Sequence, residues 1–252
     1  MNLVMFGCSH VDYMSINLSK STDFKDLELN VGGHVGGNSN DKIIDDVYNF
    51  VNKYEMPNTS EFKIPYVDLN DVVLYIQYTY TNRLWLPSTL NSSRHSFHGM
   101  YEDSCNIYTN NRFASKELLN FYETYIKYFW DYNLNLFKLL QQVELLQTFL
   151  KNKNIKFIQS FWTHGGNTNE WRGISNIASE SNDSILKYID DILNKIDYIK
   201  PYNHDTIFDG VESEVWNWPN AKKYDTDGHH YSFELYDKIF REIIYPKYLE
   251  FI

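Results

Sequence analysis

The stretch Leu3-Val-Met-Phe-Gly-Cys-Ser-His10 sets the fold expected for this chain, because it places a hydroxyl group where a strand gives way to a turn. Leu3 to Phe6 is a short apolar run that ends at Gly7, a pattern typical of a buried strand followed by a sharp turn. Open α/β folds bind their ligands outside the carboxyl ends of the strands. Ser9 is therefore a candidate site residue, although a serine beside a glycine is also common in turns and helix caps.

A base for this serine is found near the other end of the chain, in Asp225-Thr-Asp-Gly-His-His230. A serine nucleophile needs a base within hydrogen-bond reach and a third group that orients the base. Of the eight histidines, only His230 has an aspartate, Asp227, three residues before it. Ser9, Asp227 and His230 are therefore a candidate catalytic triad.

These two blocks resemble those of the SGNH (GDSL-type) hydrolase family, in which the serine follows the first strand and an Asp-x-x-His block precedes the last helix. Gly7-Cys-Ser9 and Asp227-Gly-His-His230 match the two blocks in order and in position. The resemblance implies that Ser9 is the nucleophile, that His230 is the general base and that Asp227 orients His230.

A glycine-rich stretch, Asn30-Val-Gly-Gly-His-Val-Gly-Gly-Asn-Ser-Asn40, resembles the family's second block, in which a backbone N–H serves the oxyanion hole. Gly37 is the best match, and Gly36 is its near rival. Asn38, Ser39 and Asn40 can cap a following helix, which leaves backbone N–H groups of the glycine loop facing an anion.

The third block departs from the family pattern. The family has Gly-x-Asn-Asp after the third strand, with the asparagine side chain as an oxyanion donor, but this chain reads Gln77-Tyr-Thr-Tyr-Thr-Asn-Arg83. The donor is either Asn82, displaced along the chain, or Thr79. Loss of one oxyanion donor typically costs about 10²- to 10³-fold in rate, so the departure bears on how active the protein is.

Hydrophobic periodicity predicts that strands and helices alternate along the chain. The predicted strands span residues 3–6, 27–31, 72–76 and 155–161. The predicted helices span 38–53, 115–152 with an interruption at 131–133, 184–196 and 231–248, and residues 11–20 form a poorly patterned helix or a loop.

The length of 252 residues fits a single domain over 1–252. The resemblance implies an α/β fold, a three-layer α/β/α sandwich with a mainly parallel sheet, which is SGNH hydrolase-like and flavodoxin-like. Residues 83–114 lack periodicity and are rich in Ser, Asn and His, so a long loop insertion that shapes the substrate pocket is expected there.

Composition bears on partners and location. The net charge is −10 and no basic cluster stands out, which excludes a typical nucleic-acid-binding protein. No apolar run approaches eighteen residues and no signal peptide is recognisable, so we expect no membrane association and a cytoplasmic location, with virion association as the alternative. Two cysteines exclude a disulfide framework, and one exposed face of the 115–152 region is a candidate for pairing subunits into a homo-oligomer.

The chain has 21 tyrosines and six tryptophans, which either pack in the core or line a surface that stacks on sugar rings. His164 follows the predicted strand 155–161 and is either a substrate contact or part of a structural turn. Cys8 is a less favoured nucleophile than Ser9, and His10 and His229 are expected to be packing or surface residues.

The expected reaction is hydrolysis of a small acyl ester, in the first place an acetyl ester on a carbohydrate. It needs no cofactor and no metal. One alternative is a carbohydrate O-acyltransferase that uses the same triad. The other is a non-catalytic sugar-binding or virion structural protein on the same fold, which the altered third block favours and the intact triad opposes.

Overall fold

The computed structural model describes residues 2–7, 9–21, 23–24, 29–31, 39–52, 68–79, 84–87, 94–100, 106–109, 116–128, 132–161, 183–199 and 232–252. The strands in these ranges are Asn2–Phe6 (β1), Leu29–Val31 (β2), Val72–Tyr78 (β3), Leu84–Pro87 (β4), Arg94–Met100 (β5), Asn106–Thr109 (β6) and Lys156–Phe161 (β7). The α-helices are Ser9–Lys20 (α1), Asn40–Val51 (α2), Lys116–Tyr128 (α3), Tyr132–Asn152 (α4), Asp183–Leu193 (α5), Phe233–Ile239 (α6) and Tyr245–Leu249 (α7). A 3₁₀-helix, Leu69–Asp71, precedes β3, and a π-helical segment, Phe240–Ile244, joins α6 to α7.

Four parallel strands form the main sheet of the described chain, in the order β2-β1-β3-β7. The chain begins at β1, moves to β2 on one side and then crosses to β3 on the other. The order therefore reverses beside β1. The register pairs Leu3 with Val73 and Phe6 with Ile76, an offset of 70 residues.

Helices pack against both faces of this sheet, so the protein belongs to the α/β class. One face carries Val4, Leu74 and Ile76, and it packs with apolar residues of α2, α4 and α5. The opposite face carries Leu3, Met5 and Tyr75, and it packs with α1, α6, the π-helical segment and α7. Because both faces are covered, all seven residues of β3 are buried.

Most of the predicted elements are confirmed. The strands at 3–6, 72–76 and 155–161 are present, and β3 continues two residues further, to Tyr78. The second strand is present over Leu29–Val31, and residues 27 and 28 of its predicted range lie outside the described residues. Helices cover 116–128 and 132–152 of the predicted 115–152; Tyr132 and Asn133 belong to α4, and residue 131 lies outside the described residues. Ser39 caps α2 by accepting a hydrogen bond from the N–H of Lys42.

The structure corrects the prediction for residues 83–114, and for residues 11–20 it selects the helix from the two predicted alternatives. Residues 84–109 contain an antiparallel sheet, β4-β5-β6, where a long loop was expected. Neighbouring antiparallel strands satisfy one another's backbone groups, so they form without the apolar alternation on which the prediction depended. Residues 9–20 form one helix, α1, because Val11, Met14 and Leu18 make a narrow buried stripe among polar residues.

The chain closes with α6, the π-helical segment and α7, where one helix over 231–248 was predicted. In the part of the chain that the structure describes, no helix combines the length and the apolar character that crossing a membrane requires.

Candidate functional site

The turn between β1 and α1 is built around Gly7, which is buried. A Cβ at this position would overlap the side chain of Val11 in α1 and lie 3.3 Å from Cβ of Gln77 in β3. Only glycine lets α1 pack this closely over the ends of the two strands. This close packing allows the helix to begin at Ser9, two residues after the turn glycine.

The register of the sheet brings the two ends together. Gly7 and Gln77 continue the offset of 70 residues one step beyond the last paired residues, and their close approach shows that the offset still holds there. Ser9 is the first residue of the helix that follows β1, and Thr79 is the residue that follows the neighbouring strand β3. Both lie at the carboxyl edge where the strand order reverses, which is the usual position for ligands in open α/β sheets.

Asn40, the first residue of α2, joins the glycine block to the end of β3. Its side-chain Oδ1 accepts a hydrogen bond from the N–H of Thr79 at 2.7 Å, and its Nδ2 donates to the carbonyl of Thr79 at 3.0 Å. Both atoms of one buried amide therefore hold the backbone of one residue. The contact fixes the third block relative to the start of α2.

Two polar atoms near this edge have no hydrogen-bond partner among the described residues. They are Oε1 of Gln77 and Oγ1 of Thr79, a residue that is only 3% exposed. The Nε2 of Gln77 donates to the hydroxyl of Tyr75 at 3.0 Å, and that hydroxyl lies 2.8 Å from Oγ of Ser160. A buried polar group without a partner costs stability, so these two atoms call for an explanation.

A buried hydrogen bond joins α1, which begins at Ser9, to α6, which follows the Asp-His block in the sequence. Nδ1 of His10 lies 2.9 Å from the hydroxyl of Tyr236, in the first turn of α6. Ser232 caps α6 by accepting from the N–H of Leu235. In the sequence His230 is two residues before that cap, and it lies outside the described residues.

The structure describes some of the predicted site residues and not others. Ser9 is the first residue of α1, and Thr79 is buried one residue beyond β3. The predictions for the following residues fall outside the described residues: Gly36, Gly37, Asn82, Asp227, His230, Cys8, His164 and His229. His10 was expected to be a packing or surface residue, and it is buried against Tyr236.

Tyr78, the last residue of β3, keeps its proton and is neutral. Burial raises the pKa of Tyr78 well above its ordinary value, and the nearby Tyr48 phenol raises it further. The neutral Tyr78 hydroxyl donates to Oε1 of Gln159 at 2.7 Å. Within α2, Lys42 and Asp46 form a buried ion pair. No three His, Cys, Asp or Glu side chains of the described ranges gather as ligands for a metal ion.

Sequence reasoning missed two residues of this region, Asn40 and Tyr236. Asn40 was considered only as a capping residue, yet Ser39 makes the cap and leaves the Asn40 amide for Thr79. The available signal in the sequence was that Asn40 stands next to Ser39, because a helix needs only one capping residue. Tyr236 carried no signal, because its partner is 226 residues away in the sequence.

Comparison of the chain with protein-family models, with curated proteins and with solved structures finds no match.

Proposed function

We propose that the protein is a serine esterase that hydrolyses a small acyl ester, in the first place an acetyl ester of a carbohydrate. In this proposal Ser9 is the nucleophile, His230 is the general base and Asp227 orients His230. The residues proposed for the oxyanion hole are Gly37 with either Asn82 or Thr79.

One observation carries the proposal: the buried hydrogen bond between His10 and Tyr236. It joins the residue after Ser9 to the first turn of the helix that follows His230, although the two blocks are more than 200 residues apart in sequence. A triad requires such a meeting of distant segments. Because this contact brings the helix that begins at Ser9 against the helix that follows the Asp-His block in the sequence, it supports the proposed pairing of the two blocks.

The strand order gives a second support. Numbered as the chain reaches them, the parallel strands run 2-1-3-4, the beginning of the flavodoxin-like order. We propose that the complete fold is a three-layer α/β/α sandwich of the SGNH kind, in a single domain over 1–252. Ser9 and Thr79 then stand on the two sides of the switch point.

The proposed reaction follows from the residue types. The Ser9 oxygen attacks the ester carbonyl while His230 takes the hydroxyl proton, and the carbonyl oxygen becomes an anion in the oxyanion hole. Collapse of this intermediate breaks the bond to the alcohol, which leaves with the proton from His230. Water then attacks the acyl-serine by the same steps, and the free acid and Ser9 are released.

The test uses a fluorophosphonate probe, which reacts with activated serines without needing the natural substrate. The Ser9 oxygen would form a bond to phosphorus and fluoride would leave. We expect the wild type to be labelled at Ser9, as located by mass spectrometry of its peptides, and Ser9→Ala to be unlabelled. Ser19→Ala is the matched control, because Ser19 is an exposed serine at the other end of α1.

Hydrolysis of p-nitrophenyl acetate and of an acetylated oligosaccharide provides the second readout. Loss of a triad serine can cost on the order of 10⁶ in kcat, so Ser9→Ala should retain only background rate. An unlabelled Ser9 together with equal rates for the wild type and Ser9→Ala would exclude the esterase. Loss of turnover in Cys8→Ala but not in Ser9→Ala would show that the thiol is the nucleophile. Transfer of the acetyl group to an added sugar in preference to water would identify an acyltransferase.

A further inference from the structure

We infer that the Thr79 hydroxyl is the side-chain donor of the oxyanion hole and that Asn40 is the residue that positions it. This inference rests on the proposed esterase function and decides between the two donors that the sequence leaves open. The carbonyl oxygen that gains negative charge during attack would accept a hydrogen bond from Oγ1 of Thr79.

Oγ1 of Thr79 is buried and has no hydrogen-bond partner among the described residues, while the backbone of the same residue is fully bonded to Asn40. A threonine kept only for packing would be replaced by valine of the same shape without loss, because an unsatisfied buried hydroxyl destabilises the fold. A hydroxyl held ready for an anion explains the arrangement, since buried unsatisfied groups are expected at functional sites.

Thr79 directly follows β3, and the neighbouring strand β1 leads into the helix that begins at Ser9; the close approach of Gly7 and Gln77 shows that the two strand ends are still side by side two residues before Thr79. A side-chain donor must lie beside the nucleophile to reach the oxygen of the attacked carbonyl. Asn82 is three residues further along the chain than Thr79.

Asn40 holds the backbone of Thr79 in place. Oxyanion donors are effective because they are already oriented before charge develops, so no reorganisation is needed during the reaction. The paired hydrogen bonds of 2.7 and 3.0 Å from the Asn40 amide fix the Thr79 backbone, and with it the origin of the side chain.

Thr79→Val tests the donor, because valine keeps the volume and removes only the hydroxyl. We expect kcat for p-nitrophenyl acetate to fall about 10²- to 10³-fold with little change in KM, while the melting temperature stays equal or rises. Thr79→Ser, which keeps a hydroxyl, should retain most of the activity. If Thr79 has only a structural role, the kcat of Thr79→Val should instead stay unchanged.

Asn40→Ala tests the positioning role, with Asn52→Ala as the matched control at the other end of α2. The Asn52 side chain donates to the carbonyl of Tyr48 at 2.9 Å and is exposed. We expect Asn40→Ala to lower kcat by less than Thr79→Val does, and to have no further effect on kcat once Thr79 is valine. Additive losses in the double variant would show that Asn40 does not act through the Thr79 hydroxyl.

The outcomes separate this inference from the proposed function. If the wild type hydrolyses the ester in a Ser9-dependent way and Thr79→Val keeps its kcat, the esterase stands and the donor is not Thr79. A loss in Asn82→Ala would then assign the role to Asn82. If the fluorophosphonate probe does not label Ser9 and no Ser9-dependent turnover is found, both the function and this inference are wrong.

Discussion

Gly7 shows how a single residue sets the geometry of the carboxyl edge. Its hydrogen atom occupies the space where any other residue would place a Cβ, between Val11 of α1 and Gln77 of β3. The sequence marks this glycine only as the end of an apolar run. The reason for it is the packing of the next helix, which lies against the strand ends and is known only from the structure.

Replacement of Gly7 by alanine is expected to lower the free energy of unfolding by about 2 kcal/mol, because the added methyl group overlaps Val11 in a packed core. Val11→Ala removes the overlapping methyl groups and leaves a small cavity of its own. The double variant should therefore be more stable than the sum of the two single losses allows, when unfolding is followed in urea. Strict additivity of the two losses would show that the close contact does not determine the choice of glycine.

At the scale of elements, the helices α1 and α6 share a buried hydrogen bond. The hydrogen bond between His10 and Tyr236 lies within an otherwise apolar layer formed by α1, α6 and the sheet. Tyr236 also stacks on Tyr13 of α1, with ring centroids 6.1 Å apart. These contacts fix the spacing of the two helices, one of which begins at Ser9 while the other follows His230 in the sequence.

Removal of the Tyr236 hydroxyl in Tyr236→Phe is expected to lower the free energy of unfolding by about 1–3 kcal/mol, because buried Nδ1 of His10 loses this partner. The matched control is Tyr78→Phe, which removes an equally buried hydroxyl from its bond to Gln159. Both variants should lose stability to a similar extent in urea denaturation. Only Tyr236→Phe should also lose ester turnover, since only its bond joins the two site helices. Equal turnover in the two variants would mean that this contact is structural alone.

The elements also show what periodicity can and cannot predict. β3 and α4 were predicted from their dense apolar patterns, and the structure confirms them. The sheet β4-β5-β6 was missed because its stability comes from pairing between neighbouring strands, and pairing leaves no period in a sequence such as that of Arg94–Met100. The π-helical segment was missed for a similar reason, since a change from α to π hydrogen bonding does not alter the apolar pattern enough to show.

For the molecule as a whole, the α/β class and the parallel pairing follow from the alternation of strands and helices, but the strand order does not. The order β2-β1-β3-β7 depends on which face each connecting helix covers, and that is decided by contacts between distant residues. The same limit applies to the site. Ser9 and Thr79 were identified as candidates from the sequence, whereas the Asn40 amide and the Tyr236 hydroxyl act only through partners that folding brings to them.

The tyrosines give the folded protein a property that the sequence alone does not predict. Of the 21 tyrosines, several described ones have a pKa raised above the ordinary value, in each case chiefly because burial disfavours the phenolate: Tyr48, Tyr78, Tyr125, Tyr198 and Tyr248. Among the described tyrosines, the pKa is raised most for Tyr78, which is fully buried. These groups keep their protons in the folded state at a pH where the unfolded chain has begun to lose them.

Stability is therefore expected to fall as the pH rises above about 10, the pKa of a tyrosine in the unfolded chain. Above that pH the folded protein binds more protons than the unfolded chain, so each further rise favours unfolding until the folded groups also titrate. A single tyrosine contributes at most about 1.4 kcal/mol per pH unit to this slope. Below about pH 9 the wild type and Tyr78→Phe should differ by a constant amount, the loss of the bond to Gln159. Above about pH 10 the free energy of unfolding of the wild type should fall more steeply than that of Tyr78→Phe, as measured by urea denaturation across the series, because the variant lacks the group with the strongly raised pKa. Curves that remain parallel over the whole range would show that Tyr78 ionises in the folded state as readily as in the unfolded chain.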